Sequence, residues 1–317
     1  METIEATFRV VTPMFVSGAD QSKAELRLPS IKGALRFWWR ALAWGRYGNL
    51  QKIREEEARL FGSTDTGQSR ILIRLKPHDP VNAFKEVQEA RKWGPNTWEG
   101  YVGYGLVDRK LRPHRQYIKP GLTFSLLVSS RDRQDLEEME APLRSLGLLG
   151  GLGGRSRKSW GSLTVIDLKG LAEWRPPENV RELEDELRNL LESERQPGPY
   201  TGINLEASFT IGKICRDAAA AQRSLAQAYR DFLKTLGGRE KKLREAFGLP
   251  RQLRMRGNHY KNANERRASP VFLHIHEFPD GRAAPVVALI PGQFLPHQPS
   301  PSGGWQEAQN FLNEVRS

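Results

Sequence analysis

The chain has 317 residues, 38% of them hydrophobic, which suits two domains of ordinary size and excludes a disordered chain. Its 49 basic residues against 37 acidic ones give a net charge of +12, a balance that points to nucleic acid or another polyanion. No run of about 18 apolar residues predicts a membrane span, and the single cysteine, Cys215, excludes an internal disulfide or a multi-cysteine zinc site.

Residues 3–12 alternate as a strand without the basic-then-apolar order of a secretory signal, so a cytoplasmic protein is expected. A loop from Pro13 to Pro29 leads to Ser30, an N-cap type, and a helix predicted over Ile31–Tyr47. A second helix is expected over Leu50–Leu60, then strands at Arg70–Lys76 and Gly121–Ser129, separated by an insertion at 77–118 rich in Pro, Gly and aromatics. A helix over Arg133–Leu149, which Pro142 should bend, precedes a glycine cluster and a strand at Ser162–Leu168. This β-α-β-β-α-β order is the ferredoxin-like pattern, whose sheet keeps one face open in RRM-type modules.

Residues 178–195 (ENVRELEDELRNLLESER) form an acidic helix inside a linker bounded by Trp174-Arg175-Pro176-Pro177 and Gln196-Pro197-Gly198-Pro199. Beyond it come a strand at Asn204–Ile211, helices at Arg216–Leu236 and Arg239–Phe247, strands at Val271–Phe278 and Ala284–Ile290, and a last helix at Gly304–Val315. The expected organisation is α+β, two ferredoxin-like (RRM-like, βαββαβ) domains in tandem: 1–170 with its insertion, an acidic linker 171–199, and 200–317, whose β-α-β-β-α order is shortened or permuted.

Of the 49 basic residues 34 are Arg, a bias that favours bidentate phosphate contacts and base stacking, although an ion-paired surface would share it. The basic residues cluster, however. The loop Gly150-Gly151-Leu152-Gly153-Gly154-Arg155-Ser156-Arg157-Lys158-Ser159-Trp160-Gly161 has five glycines in twelve residues, which allow main-chain amides to approach a phosphate. Arg155, Arg157 and Lys158 add charge and Trp160 a stacking face. A structural turn before a strand is the competing reading.

On the first helix, Lys32, Arg36 and Arg40 lie four apart and form one stripe. Trp39 flanks that stripe and is the stacking candidate; Trp38 points away and is the core candidate. Core packing of both tryptophans competes with this assignment. Residues 251–267 (RQLRMRGNHYKNANERR) carry six bases and one acid, among them Arg254 and Arg256, and read as an RNA-facing loop or a merely solvated one. Trp93, Trp98, Tyr101 and Tyr104 of the insertion either pack on the first domain or meet a partner protein. His274 and His276 share one strand face, but Glu277 points the other way and no third metal ligand is evident, so neither a metal nor a cofactor is expected.

The loop 150–161 and the run Ser30-Ile31-Lys32-Gly33-Ala34-Leu35-Arg36 resemble the signatures of the RAMP superfamily of CRISPR-associated proteins. Thr12-Pro13-Met14-Phe15, Gly18-Ala19, Glu25-Leu26-Arg27, Pro29 to Ala41 (PSIKGALRFWWRA) and Leu60-Phe61-Gly62 are similar to the subunit-one family of Cmr (type III-B) effector complexes. Ser17 and Leu28 stand where Gly and Pro are more usual in that pattern. The resemblance implies a non-catalytic, RNA-binding subunit near the 3′ end of the guide RNA, in contact with guide (CRISPR) RNA, target RNA and other RAMP subunits, serving antiviral defence. A RAMP endoribonuclease that processes guide precursor is the alternative; it needs a histidine or tyrosine near the glycine-rich loop or on the first helix, and neither region contains one apart from Tyr47 at the helix end. A scaffold with incidental charge is a third reading.

Overall fold

The computed structural model describes residues 1–316 except 66, 79–83, 87–93, 95–96, 107–114, 172 and 250–265, with the backbone alone at 84–86 and 238–241. The first half is built on strands β1 (Glu2–Val10), β2 (Leu72–Pro77), β5 (Thr123–Ser130) and β6 (Leu163–Lys169), joined in the order β2-β5-β1-β6 with every pairing antiparallel. Alternation along β1 sends Ile4, Ala6, Phe8 and Val10 into the core. Its other face carries hydroxyls, and the cross-strand pairs Thr3–Ser129 and Thr7–Ser125 are each 2.8 Å apart. Stacking aromatics of the RRM kind are therefore lacking on β1 and β5.

Helices α1 (Leu28–Tyr47) and α4 (Arg133–Leu148) pack together over this sheet, so the half runs β-α-β-β-α-β as the sequence predicts. α1 starts three residues earlier than expected. Its N-cap is Arg27, which makes no side-chain cap, and Pro29 supplies the preset φ of the first turn, so Ser30 lies inside the helix. α2 (Leu50–Phe61) is capped by Asn49, which accepts from the Lys52 amide. α4 runs through Pro142 as a single element. Within the insertion, β3 (Phe84–Glu86) pairs with β4 (Gln116–Ile118), and α3 (Trp98–Val102) lies between them in sequence.

The acidic helix is α5 (Val180–Leu191). It buries Leu183, Leu187, Leu190 and Leu191, and Arg144 of α4 meets its Glu186 at 3.3 Å. Beyond it, β7 (Ser208–Ile211), β8 (Val271–Glu277) and β9 (Ala283–Leu289) form an antiparallel sheet in the order β7-β9-β8, with helices α6 (Ala218–Thr235) and α7 (Gln306–Arg316) and a 3₁₀ helix at Gly238–Phe247. The order is β-α-β-β-α: among the described residues the fourth strand of a complete βαββαβ unit is absent from this half. The halves share their cores. Phe272 and Phe278 of the second half join the cluster under the first sheet, and Phe15 and Trp160 of the first join the cluster around α6.

Candidate nucleic-acid interface

Each cation of the stripe on α1 has a partner within the protein, two of them sharing one carboxylate. Arg36 Nε and Arg40 Nη1 both donate to Glu57 Oε1 of α2 at 2.7 Å, and Lys32 Nζ donates to the Phe61 carbonyl at 2.9 Å. Burial, then the Arg36 charge, lowers the pKa of Lys32. Trp39 does not stack a base: it is 3% exposed, its indole N–H donates to Glu138 Oε2 at 3.1 Å, and its ring meets Phe61 edge-on. Trp38, 2% exposed, is core as expected, packed on Phe272. The helical wheel treats α1 as having one buried face; α2 and β8 cover it from further sides, so both tryptophans are enclosed.

The glycines of the loop serve close approach within the protein. Gly153 has φ +86° and Gly161 φ +65°; a Cβ there would fall 2.3 Å from the Phe15 carbonyl oxygen and 2.1 Å from that of Leu152. Cβ atoms on Gly150 and Gly151 would collide with Trp38 and with Gly161, whereas Gly154 has slightly more room. The amides of Gly154, Ser159 and Gly161 donate to the carbonyls of Phe15, Leu273 and Pro13 at 2.7–2.9 Å, so these three are not available to a phosphate. Trp160 also departs from its expected stacking role. It is 2% exposed, lies parallel to Trp98 of α3 at 6.1 Å and meets Phe15 edge-on at 5.4 Å. Trp98 and Tyr101 of the insertion therefore pack on the molecule itself, Tyr101 reaching Tyr229 of α6; Tyr104 is exposed and Trp93 lies outside the described residues.

With its backbone pinned, the loop presents its cations to one place. Arg155, at φ +63°, donates from Nε to the Tyr104 carbonyl at 2.7 Å and covers the Tyr104 ring. The Arg157 guanidinium lies over the adjoining rings of Phe37 and Phe272, at 4.9 and 4.6 Å, and Nη1 donates to the Ser269 carbonyl at 2.5 Å. Burial and the Arg267 charge push its pKa down to about 10. Lys158 Nζ lies 4.0 Å over the Tyr229 ring and donates to the tyrosine oxygen at 2.5 Å.

These three cations line a cleft of about 620 Å³ between the halves. Arg266 and Arg267 complete a set of five basic residues, with no carboxylate among the described lining residues, alongside Tyr101, Tyr104 and Tyr229. Lys32, Arg36 and Arg40 are not part of it. Arg254 and Arg256 lie outside the described residues, in the segment 250–265 whose flanking residues Leu249 and Arg266 line the cleft. Arg266 and Arg267 fall in the basic run that the sequence marks, but Tyr229 carries no sequence signal: on α6 it reads as one more apolar-face residue. His274 and His276 are buried on the seam between the halves; among the described residues no group of three His, Cys, Asp or Glu side chains could hold a metal.

The antiparallel first sheet, its two covering helices and the glycine-rich turn before β6 define the class, and the family model of the RAMP superfamily matches residues 7–164. Among curated proteins, the CRISPR system Cmr subunit Cmr1-2 of Pyrococcus furiosus is 34% identical over 183 residues, 52% of this chain and 97% of that protein. Cmr subunit Cmr1-1 of the same organism is 28% identical over 307 residues, 90% of this chain and 87% of that one. The chain belongs to the RAMP superfamily and, within it, to the family of the Cmr1 subunits. The fold agrees. The crystal structure of apo Cmr1 from Pyrococcus furiosus has a TM-score of 0.61 at 23% identity, covering 91% of this chain and 87% of that one. A chain of the cryo-EM structure of the Type III-B Cmr-beta bound to cognate target RNA has a TM-score of 0.66 at 13% identity, covering 99% and 98%.

Proposed function

We propose that this chain is the Cmr1-type subunit of a type III-B CRISPR RNA-guided effector complex, and that it holds guide or target RNA in the cleft between its halves without cutting it. The observation that carries this reading is the cleft itself: five cations, three tyrosines and, among the described residues, no carboxylate around one concavity. A polyanion there finds cations for its phosphates, and the exposed Tyr104 ring is a stacking surface for a base. The names of the relatives support assembly with other Cmr subunits. The second half, with its β-α-β-β-α order, completes a tandem of ferredoxin-like units over 1–170 and 200–317, the second lacking its last strand and joined through the acidic helix. The test is fluorescence anisotropy with labelled single-stranded RNA across a salt series. Replacing Arg155 and Lys158 together by alanine should weaken binding about equally for unrelated sequences and lower the log–log salt slope by roughly 1.4, about 0.7 for each phosphate no longer neutralised. An unchanged slope would put the RNA elsewhere, and site-specific cleavage in the same incubations would favour the endoribonuclease alternative.

A further inference from the structure

Two guanidinium groups in the cleft are held in a way that protein partners alone leave incomplete. Arg157 comes from the glycine-rich loop of the first half; Arg267 comes from the second, just before β8. Each is fixed at one nitrogen, Arg157 Nη1 on the Ser269 carbonyl and Arg267 Nη1 on Thr201 Oγ1 at 3.1 Å. The Phe37 and Phe272 rings pack against the Arg157 guanidinium. Nε and Nη2 of Arg267 are both buried and meet no acceptor among the described residues. Those two atoms form one edge of the guanidinium, the edge that grips two oxygens of a phosphate or carboxylate side by side.

The charges around that edge point the same way. Among the described residues no carboxylate lines the cleft. Burial lowers the pKa of both groups, and Arg157 is lowered further by Arg267 itself. Two partly desolvated like charges side by side oppose each other unless an anion lies between them. A tetrahedral oxyanion satisfies the free edge of Arg267 and the charge of both.

We propose that Arg157 and Arg267 form a discrete phosphate site spanning the two halves, which takes one phosphate group of a bound RNA strand and ties the halves together. The source of the phosphate rests on the RNA reading above; the site itself does not, because inorganic phosphate probes it directly. The full chain is melted in increasing sodium phosphate with ionic strength held constant by sodium chloride, as wild type, Arg267→Gln and Arg267→Lys. Wild type should show a saturable rise in Tm specific to phosphate. Arg267→Gln should lose it, and Arg267→Lys, which keeps the charge without the two-nitrogen edge, should lose most of it. In the RNA salt series, Arg267→Gln should lower the slope by roughly 0.7. If Arg267→Gln does not fold, the lysine variant decides. Absence of a phosphate-specific rise in wild type, or a wild-type response from the lysine variant, overturns the site. RNA binding with no phosphate response leaves the general reading standing and removes this one; a phosphate response without RNA binding does the reverse.

Discussion

Trp39 shows how a side chain suited to stacking becomes structural once a single buried acceptor is placed beside it. Glu138 is itself buried and is shared with Arg59, whose Nη2 lies 3.1 Å from Oε1, while Arg59 also reaches Glu56 and Asp135. The indole N–H adds a further donor to a carboxylate that burial would otherwise penalise. Trp39→Ala should therefore cost about 3–5 kcal/mol of stability by urea denaturation, with Trp39→Phe milder because it keeps most of the packing. RNA affinity of the folded fraction should be unchanged in both; a selective loss of affinity in either would restore the stacking role. The residue types of this site are readable in the sequence, but their partners are not. Glu57 beneath Arg36 and Arg40, and Trp98 over Trp160, come from elements whose docking no local spacing encodes.

At the scale of elements, period-two and 3.6-residue patterns make the first half readable because each strand and helix has one clearly apolar side, as in β1 and α1. The boundary at Ser30 misleads because a good cap residue is present where Pro29 has already begun the helix. The glycine-rich loop lies where the sequence puts it, for a different reason: its glycines fit carbonyls of Phe15 and Leu152, and its side chains face the cleft. Two substitutions separate these ideas. Gly121 has φ +94° with nothing near a built Cβ, so Gly121→Ala carries only the left-handed backbone cost of about 1–2 kcal/mol. Gly161→Ala adds a collision with the Leu152 oxygen. Its loss of stability in urea should exceed that of Gly121→Ala by at least about 1–2 kcal/mol, in the range of strained or overpacked sites. Equal losses would mean that the loop relaxes freely and that its docking does not need glycine.

The whole molecule is held together along β8, the edge strand of its own sheet. An uncovered edge offers unpaired amides to other chains, but here the first half takes them in succession. The amides of Leu273, Ile275 and Glu277 donate to the Arg157 carbonyl, Ser162 Oγ and Thr164 Oγ1, each at 3.2 Å, and the Glu277 carboxylate meets Arg9 at 2.9 Å. The strand face turned to the first half carries Phe272, His274, His276 and Phe278, all buried. His274 Nδ1 lies 2.8 Å from the Gly150 carbonyl, which can only accept, so this nitrogen carries the proton; His276 packs its ring edge-on to Phe278. Burial pushes the pKa of His274 down to about 4, and burial with the neighbouring His274 pushes that of His276 down to about 3. Both side chains are thus neutral in the folded protein at neutral pH, whereas unfolded histidine titrates near 6.5. Below that value the unfolded state binds more protons than the folded one, so stability rises with pH across this window. The contribution of the pair is fully present above about pH 6.5 and is lost as the pH falls toward about 4 and 3, at up to about 1.4 kcal/mol per pH unit for each histidine. Urea denaturation at pH 7 and pH 5 should show lower stability at pH 5, and His276→Leu, which suits the apolar seam, should reduce that difference by roughly half. If the variant shows the full wild-type pH dependence, the titration belongs to other groups and the seam is not what acid loosens.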